Sequence, residues 1–379
     1  MTNSESPQTA LFEDPHIRRP ARETALFNTE RLACLLQEAS HADDLVSLRG
    51  QIQTLRRMVT SPKTDQQGLL QVDPSGGTTS LRKDVLLSEL DQVLEARTLQ
   101  RAQYYVKRLE KAVLKPRISK VNDMNLTRWK EYDEVITDSL WVLPRRDNSG
   151  AHLAWYWGNF IPQIPHQMML RYTKAGDWVL DAFVGSGTTL IECRKLGRNG
   201  IGIELNPQVA QKAQELIGRE PNTHNVTTQV EVGDSTTLDV KSVLHKRGIG
   251  RVQLLIMHPP YHDIIGFSED NRDLSNARDT ETFLEMFGEV VDAMSPYLEK
   301  GRYFALVIGD KYSKGEWIPL GFYCMNEVLK RPFVLKSIIV KNFEDTRGKR
   351  DQKELWRYRA MVGGFYVFKH EYVMVFRKR

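Results

Sequence analysis

The chain has few cysteines, no long apolar run and no strong excess of one charge. Cys34, Cys193 and Cys324 are its three cysteines in 379 residues. They are far apart, with no CxxC pair and no histidine at a zinc-ligand spacing, so neither a disulfide framework nor a structural zinc is implied. No stretch approaches the roughly 18 apolar residues of a membrane span. The opening residues, Met1–Pro7, lack a basic segment followed by an apolar one. A reduced, cytoplasmic chain without metal is expected. Lysine and arginine number 53 against 48 acidic residues, a net charge of +5, which is compatible with nucleic-acid contact but mild for this length. The length suits one catalytic domain of about 200 to 250 residues plus an accessory region.

Residues 1–28 are polar, contain three prolines and show no periodicity. Leu32, Leu35, Leu36, Leu45, Leu48, Ile52 and Leu55 then recur at helical steps. Residues 60–80 carry Ser61-Pro62, Asp73-Pro74 and Gly76-Gly77 and read as a linker. Leu86, Leu90, Val93, Leu94, Ala102, Val106, Leu109 and Val113 predict one long helix, stopped by Pro116. No internal repeat is visible. From about Asp177, short β-branched runs at 178–181, 200–204, 228–232, 252–257 and 303–308 alternate with helical stretches at 188–196, 207–218 and 280–298. That alternation predicts a mainly parallel sheet covered by helices. Residues 364–368 and 370–376 read as a closing strand pair. The expected domains are a helical accessory region, 1–118, and a catalytic domain, 119–379.

Ligands of such sheets bind at the carboxyl ends of the strands. Asp181 ends the first strand, Gly185 and Gly187 permit a tight turn, and the Thr188-Thr189 amides open a helix whose positive end suits a carboxylate. Glu204 ends the next strand, where a carboxylate can accept ribose hydroxyls. Gly233-Asp234 follows the third, placed to accept from an adenine amino group. The GxGxxG and GK[ST] patterns are missing, so dinucleotides and ATP are poorer ligands.

Asp181-Ala-Phe-Val-Gly-Ser-Gly-Thr-Thr-Leu-Ile-Glu192 resembles the first motif of the DNA amino-methyltransferases, which act on adenine N6 or cytosine N4. Phe160-Ile-Pro-Gln-Ile-Pro-His-Gln-Met168 resembles the segment of that family that closes over the methionine end of the cofactor. The resemblance covers about residues 138–379. It implies a Rossmann-like methyltransferase fold, a seven-stranded mainly parallel sheet, with S-adenosylmethionine as cofactor. The residues it assigns to the cofactor are Phe160, Pro162, Asp181, Phe183, Gly185, Ser186, Gly187, Thr188, Thr189, Glu204 and Asp234. It also implies duplex DNA as substrate, as in restriction-modification or related systems.

In the family, the fourth strand ends in Asp, Asn or Ser followed by Pro-Pro-Tyr or Pro-Pro-Phe; here it ends in His258-Pro259-Pro260-Tyr261. The lone pair of an exocyclic base nitrogen is delocalised into the ring, so acceptors must hold its N–H groups while it turns toward the methyl donor. The first side chain and the Pro259 carbonyl supply them, the prolines stiffen the loop, and Tyr261 offers a flat face to an extruded base. Neutral imidazole accepts one hydrogen bond and imidazolium none, so a histidine here ties activity to its ordinary pKa near 6.5. Ser268–Asn276 is polar enough to be mobile and to meet the target strand, and Gly309-Asp310-Lys311 resembles another family motif.

Between Lys341 and Arg359, basic residues alternate with Phe343, Trp356 and Tyr358. Arg347, Lys349, Arg350, Lys353, Trp356, Arg357 and Arg359 are the candidate DNA contacts. Arg97, Arg101, Lys107, Arg108, Lys111 and Lys115 add a basic helical face that is also explained as a solvated surface. Residues 1–118 are left to DNA contact, homodimerisation or binding of a restriction or defence partner. Methylation of an RNA base and a catalytically silent subunit stay open as alternatives.

Overall fold

The computed structural model describes residues 23–61, 68–70, 77–343 and 353–379. The chain forms two compact units: residues up to Lys120 with Met124–Glu134, and Val121–Asp123 with Val135–Arg379.

In the first unit, strand β1 (Thr24–Asn28) leads into helix α1 (Thr29–Ser40), and α2 (Leu45–Thr60) follows. Asn28 caps α1 by accepting from Arg31 N, and Asp44 caps α2 by accepting from Val46 N and Ser47 N. The same series returns as β2 (Thr78–Arg82), α3 (Lys83–Leu94) and α4 (Leu99–Leu114). Matching elements have 5, 12 and 16 residues. Each starts 54 positions after its counterpart: Thr24 and Thr78, Thr29 and Lys83, Leu45 and Leu99. The two strands pair antiparallel with Leu26 opposite Ser80. Arg49 Nη2 donates to Ala96 O at 2.8 Å, and Gln103 Nε2, at the equivalent position, donates to Ala42 O at 3.1 Å.

The first unit is therefore an internal repeat, where the sequence showed none. Leu48, Ile52, Leu55 and Val59 of α2 are buried, and so are their equivalents Ala102, Val106, Leu109 and Val113 of α4. The repeat lies in apolar pattern rather than identity, because a core position accepts several apolar residues when its neighbours adjust. The single helix expected over Leu86–Val113 is two, parted where Thr98 caps α4 by accepting from Arg101 N. The stripe runs on across the break because α3 and α4 face one core.

The second unit opens with β3 (Leu140–Trp141) and α5 (Gln163–Tyr172). It continues as β4 (Trp178–Asp181), α6 (Thr188–Leu196), β5 (Asn199–Glu204), α7 (Pro207–Arg219), β6 (Thr228–Val232), α8 (Val240–His245), β7 (Val252–Met257), α9 (Thr280–Met294) and β8 (Leu298–Ile308). A hairpin of β9 (Lys311–Ser313) and β10 (Glu316–Ile318) precedes α10 (Leu320–Leu329), β11 (Phe333–Asn342), α11 (Lys353–Gly363) and β12 (His370–Lys378). The main sheet has the order β3-β11-β12-β8-β7-β4-β5-β6. β12 runs antiparallel to β8 and β11, and every other pairing is parallel.

This is the Rossmann-like methyltransferase fold, with eight strands instead of seven because Leu140–Trp141 adds a short strand beside β11. The expected closing pair is not formed. Residues 364–368 are not a strand, and Gly364, at φ 67°, turns the backbone out of the extended region. β12 instead pairs with β8 and with β11, a strand the sequence reading did not list. Successive residues of the central strands enter opposite cores: Leu180, Leu255 and Met257 pack under α9, and Val179, Leu254 and Ile256 under α5. β4 pairs with β5 on one side and β7 on the other, so the winding reverses there and opens a crevice at the carboxyl ends.

Candidate active site

The loops after β4, β5, β6 and β7 enclose one cavity of about 810 Å³. Gly187 caps α6 at φ 84°, a left-handed conformation that a side chain would strain. Gly185, Ser186 and Thr188 line the cavity with Phe183. Asp181, Gly187 and Thr189 do not line it. Asp181, 1% exposed, faces its own loop: Oδ1 accepts from Phe183 N at 3.0 Å and Oδ2 from Thr189 Oγ1. Burial pushes this carboxyl up to about 6 against those two donors. It is a brace for the loop.

Glu204 reaches the cavity. It accepts from Gly185 N at 3.1 Å and from Asn206 N at 3.0 Å, and burial raises its pKa. Asp234 also lines the cavity, with Oδ1 turned to Thr236 N at 2.8 Å. Phe160 lines it at 7% exposure, whereas Pro162 does not and instead caps α5.

The other end of the cavity holds His258, Pro259, Pro260 and Tyr261. Tyr261 Oη donates to Glu371 Oε2 at 2.9 Å, and Lys341 Nζ donates to Glu371 Oε1 at 2.9 Å. Lys341 and Glu371 are directly opposed on β11 and β12 and nearly fully buried. His258 Nε2 lies 3.2 Å from Tyr261 Oη. Since the tyrosine spends its one proton on Glu371, it can only accept from the imidazole. Nε2 of His258 therefore carries the hydrogen and Nδ1 is a bare acceptor. Burial, with Lys341 adding to it against Glu371, lowers His258 to about 4, so the ring is neutral near pH 7. Phe160 packs edge-on against His258 with centroids 4.9 Å apart, joining the two ends of the cavity. Gly309 seats the tyrosine, since a Cβ there would meet its ring at 2.8 Å.

The sequence-derived DNA candidates fare unevenly. Arg347, Lys349 and Arg350 lie outside the described residues. Lys353 begins α11, Trp356 lines the cavity, and Arg357 and Arg359 are exposed, the latter over the Trp356 ring at 5.2 Å. Lys341, which opens that basic stretch, is the buried partner of Glu371. Asp310 of the Gly-Asp-Lys turn lines the cavity but is engaged, accepting from Gly321 N, Trp317 Nε1 and Tyr372 Oη. Glu371 went unnoticed, although an acid directly before the apolar run of β12 was a usable signal. Tyr156, stacked on Phe267 over Gly185, was also missed and carries no local signature.

Residues 89–215 match the model of a family described as DNA methylase. The match starts in α3, upstream of the resemblance read from sequence, and ends before His258. The type II methyltransferase M.Cfr9I of Citrobacter freundii is 36% identical over 85 residues, covering 22% of this chain and 27% of that protein. M.SmaI of Serratia marcescens is 34% identical over 101 residues, 24% of this chain and 33% of that one. M.MjaII of Methanocaldococcus jannaschii is 46% identical over 52 residues, 14% and 10%. The chain thus spans between a tenth and a third of the length of these relatives. A SAM-dependent methyltransferase structure from Methanosarcina mazei aligns at 15% identity and a TM-score of 0.37, over 55% of this chain and 95% of that one. The segment carrying the Asp181–Glu192 loop is thus similar to a family described as DNA methylase and to type II methyltransferases.

Proposed function

We propose that the chain methylates an exocyclic amino nitrogen, adenine N6 or cytosine N4, of a base turned out of duplex DNA. The observation that carries the reading is the joining of the glycine loop and His258–Tyr261 in one cavity, with His258 neutral and its Nδ1 unpaired among the described residues. The residues present fit S-adenosylmethionine. The Gly185–Gly187 turn lets backbone approach a ligand, and Glu204, at the end of β5, retains acceptor capacity for a ribose. When bound, the cofactor supplies a methyl group on a sulfonium centre.

The chain's own side chains hold the base. Tyr261 and Trp356 offer ring faces to it, and Nδ1 of His258 and the Pro259 carbonyl accept the two amino hydrogens. A ring with a pKa of about 4 is a hydrogen-bond acceptor at pH 7 and not a store for the proton that the methylated nitrogen loses, which passes to solvent.

Labelled S-adenosylmethionine offered with unmodified genomic DNA and with total RNA should mark the DNA, and digestion with mass spectrometry then names the base. His258→Ala should lower single-turnover transfer by about 100-fold, the scale for losing one preorganised partner. Cofactor affinity should be spared, and His258→Asn should retain more activity. Label confined to RNA, or a folded His258→Ala chain as fast as wild type, defeats the reading.

A further inference from the structure

The two halves of the first unit agree where they are buried and differ where they face water. The outer face of α4 and the turn before it carries Arg97, Arg101, Tyr104, Lys107, Lys111 and Lys115, all exposed. The equivalent residues of the first half are Asp43, Ser47, Gly50, Gln53, Arg57 and Ser61, so five cations stand against one cation and one acid. Several other basic side chains of the unit are taken up internally: Arg56 by Asp91, Arg82 by Asp84 and Asp133, Arg108 and Lys130 by Glu89. The four lysines and arginines Arg97, Lys107, Lys111 and Lys115 have no acidic partner among the described residues. Arg101 is held in place, its Nε donating to Tyr105 Oη at 2.9 Å and its guanidinium 5.3 Å from the exposed Tyr104 ring.

A duplicated scaffold needs both copies of its buried pattern, and its fold does not ask for cations on one copy alone. We propose that the outer face of α4 binds the phosphate backbone of duplex DNA. From Arg101 to Lys115 the helix rises roughly 20 Å, enough to follow about six phosphates of one strand along the duplex axis. The outer face of the β1–β2 ribbon is a poorer candidate, since Glu23, Asp84 and Asp133 flank it. The proposal rests on the reading that DNA is the substrate and adds a surface on the first unit, described apart from the cavity.

The test compares the full-length wild type with a Lys107→Gln, Lys111→Gln, Lys115→Gln triple variant on a 30-base-pair duplex over a range of salt. Each lost phosphate contact should make the slope of log K against log salt shallower by about one. The triple variant should therefore lose about two to three in slope and bind about 10- to 100-fold more weakly at 0.15 M salt, with unchanged titration of S-adenosylmethionine. Arg57→Gln, equivalent to Lys111, should bind as wild type. A folded triple variant with wild-type slope overturns the proposal, as does an equal loss on Arg57→Gln or a preference for duplex RNA. Should the triple variant not fold, the three single variants carry the same expectation of about one each. Absence of any DNA methylation by wild type would fell the functional reading, whereas methylation with an unmoved slope removes only this surface.

Discussion

His258 shows how much a residue's surroundings decide its chemistry. Its ordinary pKa would place a loss of the acceptor near pH 6.5. Lowered to about 4, it stays neutral far below that, so single-turnover methylation should be flat from pH 8 to about 5.5 and fall only as Nδ1 gains a proton. A fall centred near 6.5 would contradict the burial argument. Glu371→Gln tests the tautomer. Lys341 can only donate, so the amide must turn its oxygen to Lys341 and its NH₂ to Tyr261, and the tyrosine then donates to Nε2. The hydrogen moves to Nδ1 and the acceptor is lost. Rates should drop by about 10- to 100-fold, and ¹⁵N shifts of His258 should report the exchanged tautomer; an unchanged rate and tautomer would refute the relay. Asp181 makes the opposite case. Its carboxyl, raised to about 6, prefers its proton in the fold, so above that pH its buried charge costs stability. Asp181→Asn should melt no lower than wild type at pH 8, and a clear loss would mean the charge is needed.

At the scale of elements, α6 fastens the segment that precedes it to the glycine loop. Glu192 is fully buried and receives His152 Nε2 at 2.6 Å, His166 Nδ1 at 2.6 Å and Lys195 Nζ at 2.8 Å. Burial alone would raise its pKa, yet the three donors prevail and hold it at about 2. A carboxyl held below its unfolded value contributes stability above about pH 4.5 and loses it as the pH falls toward 2. Glu192→Ala should cost about 3 kcal/mol at pH 7, and its deficit should shrink in melts taken toward pH 3. A deficit that does not depend on pH would point to packing instead. Ser268–Asn276, expected to be mobile, carries bonds of its own: Asp273 accepts from Ser268 Oγ and Ser275 N. Its polarity serves these local bonds, which sequence texture cannot tell from solvation.

At the scale of the whole molecule, the repeat makes its own prediction. Leu36 and Leu90 are equivalent and fully buried, so Leu36→Ala and Leu90→Ala should each cost about 3 kcal/mol. Denaturant melts differing by more than about 2 kcal/mol would show that the halves are not energetically alike. The local features of the second unit were legible because they are continuous in the chain. Asp181–Thr189 is one strand end and one turn, His258–Tyr261 another, and in a parallel sheet strand ends gather on one edge without further instruction. The sequence by itself therefore determined the alternating fold, the glycine loop and the Pro-Pro-Tyr end. Only the tertiary structure decided that Asp181 braces the loop behind the cavity, that Lys341 is buried against Glu371, and that this pair sets the proton on His258. Tyr261 and Glu371 are 110 positions apart, and their meeting depends on the register of β11 and β12, which no local periodicity encodes. The repeat escaped for a related reason: its halves share the places where side chains are buried, and packing tolerates different apolar residues at those places.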